Sequence, residues 1–109
     1  MIDNPETVAR LVAQMEVHLP IPAFPTKEVV RTFRRRGVQA RTDHALSVKH
    51  VFYAGDEAGI VCDVTPSQTA KDVLIVSLTH LRIAPKHPLF PAIVAYQRER
   101  VTRLAAADV

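Results

Sequence analysis

Tryptophan is absent from this chain, and Phe and Tyr together make only 6% of it. The interior therefore has to be built from Val, Leu, Ile and Ala. One cysteine, Cys62, cannot close an internal disulfide, which argues against a secreted, stapled scaffold. No apolar run approaches the roughly 20 residues that span a bilayer, so no membrane partner is expected. The start, Met1-Ile2-Asp3-Asn4-Pro5-Glu6, places acids where a signal peptide has a basic and then apolar stretch. The expected compartment is the cytoplasm. Only three glycines occur, against eight prolines, and internal repeats and low-complexity stretches are missing.

What is present suits one globular domain covering residues 1–109, with 48% apolar and 23% charged residues. The net charge of +3 is local in origin. Lys27, Arg31, Arg34, Arg35, Arg36 and Arg41 face one acid, Glu28, within a single short segment, and the rest of the chain is slightly acidic. A high isoelectric point of this kind is no general sign of nucleic-acid binding.

Asn4-Pro5 reads as an N-cap followed by proline at the first helical position. Val8, Leu11, Val12, Met15 and Leu19 then fall at helical spacing, predicting a helix from Pro5 to His18. Leu19 to Pro25 holds three prolines and reads as an extended connector. Thr26 to Gly37 predicts a second helix, Lys27 to Arg36, with Val29, Val30 and Phe33 on its apolar face. Three strands follow. They are Val48 to Ala54, Ile60 to Thr65, and Val73 to Thr79 with a continuation through Ile83. They are joined by the turn Gly55 to Gly59 and the polar loop Pro66 to Lys71. A last helix would bury Phe90, Ile93, Val94, Gln97, Val101 and Leu104, turn Arg98, Arg100 and Arg103 elsewhere, and fray from Ala105. The predicted fold is α+β: two N-terminal helices, a three-stranded antiparallel meander and a C-terminal helix, with the helices packed on one face of the sheet. Val73 to Leu78 is apolar on both faces, a liability at an open edge, and a homodimer through the sheet would remove it.

Candidate chemistry begins in the hairpin. A loop of two or four residues sets His50 opposite Asp63, a pairing that raises imidazole basicity. A loop of three sets His50 opposite Cys62, the minimum for a thiolate nucleophile. The favoured readings are plainer: an inert, buried Cys62 and a structural cross-strand pair. In Thr79-His80-Leu81-Arg82, His80 could serve as acid or base and Arg82 could hold a carboxylate or phosphate. The plainer alternative is a capped sheet end with a solvated charge. The five histidines are scattered, without His-x-x-x-His or Cys-x-x-Cys, so neither a metal nor a cofactor is expected. Gly55 to Gly59 carries two acids that would repel a phosphate.

Arg31, Arg34, Arg35 and Arg36 form the remaining candidate. They suit a phosphate-bearing or acidic macromolecule, or simply a solvated face on a helix whose last turn favours cations. Three classes of function follow. The leading one is a small non-enzymatic interaction domain, homodimeric or bound to another protein. The second is a ligand-binding domain or small enzyme whose pocket, beside Pro20 to Pro25, is lined by His50, Asp63 and His80. The third is a nucleic-acid accessory protein using Arg31 to Arg36.

Overall fold

The computed structural model describes residues 2–66 and 73–107 and is α+β, with three helices and two small antiparallel three-stranded sheets. Helix α1 (Pro5–His18) starts where Asn4 Oδ1 accepts hydrogen bonds from the Glu6 and Thr7 amides at 2.9 and 3.1 Å. Those amides lack partners inside the first turn, which is why a short polar side chain stands there. Val8, Leu11 and Met15 recur along one face and are buried.

The proline-rich connector is a strand, β1 (Ile21–Pro25), at the centre of the first sheet. Proline favours extended backbone, and Ile21, Ala23 and Pro25 alternate inward. It pairs with β2 (Leu46–Val48) over Ile21 to Ala23 and with β6 (Leu81–Arg82) over Phe24 and Pro25. A central strand normally excludes proline because a ladder hydrogen bond is lost. Here each partner covers only part of β1, so few pairings depend on a proline amide. Helix α2 (Lys27–Arg35) follows and buries Val29, Val30 and Phe33. Gly37, at φ 77°, ends it, its amide donating to the Arg34 carbonyl at 3.0 Å.

The second sheet is the meander β3 (His50–Tyr53), β4 (Ile60–Asp63) and β5 (Ile75–Ser77). Two of the predicted strands are divided. Val48 belongs to β2, so the strand expected from Val48 breaks at Lys49 and changes sheet. The strand expected from Val73 through Ile83 ends at Ser77, makes one 3₁₀ turn over Leu78–His80, and resumes as β6 in the first sheet. Ser77 Oγ accepts from the Thr79 amide at 3.3 Å, a local bond that competes with the ladder and turns the chain. The predicted loop after Pro66 lies largely outside the described residues.

Helix α3 (Phe90–Ala107) is C-terminal, and it continues through Ala107 where fraying was expected from Ala105. Its buried stripe is Ile93, Tyr96 and Arg100, while Val101 is 57% exposed. The helix is thus rotated from the face that apolar spacing alone selects, because a buried arginine takes the place of an apolar residue. One core cluster draws on all three helices and both sheets, including Met15, Phe33, Ile21, Ile60, Leu78 and Ile93.

Candidate functional site

The hairpin joining β3 and β4 closes with the Ala54 amide donating to the Gly59 carbonyl at 2.8 Å, leaving four residues in the loop. This fixes His50 opposite Asp63 and Val51 opposite Cys62. The register that would have set His50 against Cys62 is not adopted. Side chains alternate across a strand, so His50, Phe52, Asp63, Val61 and Ile75 share one face, on which Val61 at the centre is only 4% exposed, while Val51 and Cys62 point into the core. Cys62 is fully buried, and desolvation pushes its thiol up to about 12. A thiolate nucleophile needs the opposite environment. The Asp63 carboxyl accepts from the Thr65 hydroxyl at 2.6 Å and the Thr65 amide at 3.0 Å. Partial desolvation pushes its pKa up, but the Thr65 bonds and the charges of His50 and Lys49 together hold it below the usual carboxylate range. No ion pair joins Asp63 to His50 among the described residues.

His80 lies elsewhere. It borders a groove of about 360 Å³ between α2, β5 and α3, which neither His50 nor Asp63 lines. The three residues expected to converge on one pocket therefore do not. His80 Nδ1 is 3.3 Å from Glu28 Oε2, and both side chains are substantially exposed. Two hydroxyls stand beside it, yet Ser77 Oγ donates to the Ala58 carbonyl at 2.9 Å and is 2.9 Å from Thr79 Oγ1. The serine proton is thus committed to backbone, and no serine–histidine relay is assembled. Arg82 is turned away, donating to the Thr42 carbonyl at 2.9 Å. It braces a loop and does not reach for a ligand.

The arginines of α2 divide. Arg31 and Arg34, with Lys27, face the segment Ala40 to Asp43 across a groove of about 580 Å³. Arg35 does not line it, and Arg36 Nη2 reaches the Val73 carbonyl at 3.5 Å. Beyond these, the outer surface of the second sheet exposes apolar side chains: Phe52 is 45% and Ile75 39% exposed, with Val73 at 60% just before β5.

The spacing argument misses one buried polar cluster altogether. Arg100 Nη1 donates to Asp3 Oδ2 at 2.9 Å and its Nη2 to the Asp56 carbonyl at 2.6 Å. The Tyr96 hydroxyl donates to Asp3 Oδ2 at 3.3 Å and accepts from the Ile60 amide at 2.9 Å. Burial pushes the Tyr96 phenol up to about 12. A signal was present, because Ile93, Tyr96 and Arg100 lie at helical spacing, but an arginine on a buried stripe is rare. Among the described residues, no group of three or more His, Cys, Asp or Glu side chains could hold a metal ion, and no helix is long and apolar enough to cross a membrane. No protein-family model, no curated protein and no solved structure matches the chain.

Proposed function

We propose that this chain is a small non-enzymatic interaction domain that works as a homodimer. In this reading the helices cover one face of the β3–β4–β5 sheet, and the other face with its open edge makes the contact. The observation that carries it is the state of β5. Among the described residues it has one strand neighbour, β4, and it carries the exposed Ile75, with Val73 beside it and Phe52 on the same sheet. An unpaired apolar edge is a template for strand addition. The Val64 amide donates to the Leu74 carbonyl at 2.9 Å, so in the antiparallel pattern the backbone groups of Ile75 face away from β4. Antiparallel pairing of β5 with its copy about a two-fold axis would place identical surfaces together and join two sheets into one.

The burial of Cys62 in the core and the separation of His80 from the His50–Asp63 pair support a binding role over catalysis. Sedimentation velocity across a concentration series tests the proposal. A dimer that Ile75→Lys dissociates supports it, and a monomer at every concentration overturns it. The nucleic-acid alternative draws support from the groove beside Arg31 and Arg34.

A further inference from the structure

We infer that the groove between α2 and the segment Ala40 to Asp43 binds a chain of phosphate groups. Lys27, Arg31 and Arg34 stand at i, i+4 and i+7, so their side chains share one flank of α2. That flank is distinct from the one bearing Glu28 and Thr32, which borders the other groove. Across the gap, Arg41 and Asp43 are committed to each other through two bonds, Nε to Oδ1 at 3.0 Å and Nη2 to Oδ2 at 2.8 Å. The single acid of the groove is thus hydrogen-bonded to Arg41 and to none of the three α2 cations. Among the described residues, no carboxylate pairs with Lys27, Arg31 or Arg34.

These charges are not explained by the helix they stand on. Like charges four residues apart repel, and a cation at the first helical residue opposes the helix dipole. Arg34 in the last turn complements the dipole, but Lys27 at the first residue does not. An anion in the groove would relieve all three. The far wall is already held in place: Arg82 Nη2 donates to the Thr42 carbonyl at 2.9 Å, and Gly37 turns the chain back after α2. Lys27 to Arg34 covers about 10 Å along the helix axis, long enough for more than one phosphate group. Arginine grips each such group with paired donors. No aromatic side chain lines the groove, so it offers no stacking platform for a base. Recognition is then of phosphate and not of sequence. The ligand is either the phosphate backbone of a nucleic acid or a free polyphosphate chain.

The test is fluorescence anisotropy with labelled oligouridylate and oligoadenylate, competed by inorganic tripolyphosphate and separately by polyglutamate. The expected result is saturable binding, equal for the two oligonucleotides. It should weaken in Arg31→Gln/Arg34→Gln and stay unchanged in Arg98→Gln, which alters an exposed arginine of α3 outside the groove. Each groove arginine removed should lower the slope of log affinity against log salt by about one. Full competition by tripolyphosphate assigns a free polyphosphate. Displacement by longer oligonucleotides alone assigns the backbone. The inference is overturned by the absence of saturable binding to both probes, by a double variant that binds like the wild type, by equal loss in Arg98→Gln, by unequal affinity for the two oligonucleotides, or by polyglutamate competing as well as tripolyphosphate. Circular dichroism establishes that the variants are folded. The groove is separate from the β5 edge, so this outcome and the oligomeric state are read independently.

Discussion

Arg100 Nη1 lies 2.9 Å from Asp3 Oδ2 with the two side chains only 2% and 3% exposed, so the last helix and the segment before α1 neutralise each other inside the fold. Removing one partner leaves the other charge buried and unpaired. Asp3→Ala should therefore cost about 3–5 kcal/mol of stability. The double variant Asp3→Ala/Arg100→Met removes both charges and should cost clearly less than the sum of the single variants, because the residues share one network. Urea denaturation of the three variants gives the cycle. Additive losses would mean the pair is not coupled.

Gly59 sits where that network meets the hairpin. Its φ is 67°, and a Cβ built there would run into the Tyr96 hydroxyl and the Arg100 guanidinium. Gly37 has a similar φ of 77° but open space around it. The two glycines thus separate backbone strain from crowding. Gly37→Ala should cost about 1 kcal/mol, the usual penalty for a left-handed residue with a side chain. Gly59→Ala should cost more, by about 1–3 kcal/mol, because it also displaces buried hydrogen-bond partners. Equal midpoints in denaturant would show that Tyr96 and Arg100 move aside freely.

How much of this was legible beforehand depended on whether the cause was local. The α1 bounds follow from Asn4, Pro5 and a regular apolar stripe, all adjacent in sequence. The hairpin could be narrowed to two registers, but only the four-residue loop chose between them. The extended backbone of β1 is legible in its prolines, which dictate φ. Its strand partners come from residues more than twenty positions away, and no local pattern announces them. The end of β5 is not legible, because Val73 to Leu81 is continuously apolar or β-compatible, while the break depends on Ser77 and Thr79 bonding locally. At the candidate sites, charge spacing on α2 gave Arg31 and Arg34. It did not give their company with Arg41 and Asp43, nor the diversion of Arg36, because both depend on how the chain returns after Gly37.

Alkaline stability offers a third prediction. Desolvation raises the Cys62 thiol from 9.0 to about 12, and it is also the main cause raising the Tyr96 phenol from 10.0 to about 12. Well below pH 9 both groups hold their protons in the folded and unfolded chains, so they contribute no pH dependence there. Above that, the unfolded chain releases protons that the native state retains, and stability falls as pH rises toward 12. Cys62→Ala should remove the part of the decline that begins near 9 and leave the part that begins near 10. Denaturation midpoints across this range give the measurement. A variant profile parallel to the wild type throughout would place the thiol in solvent. In agreement with burial, a thiol reagent should label Cys62 only after unfolding.

The open β5 edge gives the last prediction. Ile75 is 39% exposed and lies opposite Asp63, itself opposite His50, so the exposed row across the sheet runs from a basic group through an acid to an apolar edge. Lysine at an edge strand is a common block against pairing, because its charge must be desolvated if another strand is to join. Ile75→Lys should therefore abolish self-association while lowering monomer stability by only about 1 kcal/mol, since the lysine stem keeps part of the contact that the partly buried Ile75 makes. Val76→Lys is the contrasting change. Val76 lies opposite the fully buried Cys62 and packs, partly buried, against the core, so a charge there should cost clearly more stability than at Ile75. If Ile75→Lys leaves the sedimentation coefficient unchanged at all concentrations while the wild type is dimeric, the contact lies elsewhere. The exposed Val17 of α1, 82% accessible, would then be the next position to alter.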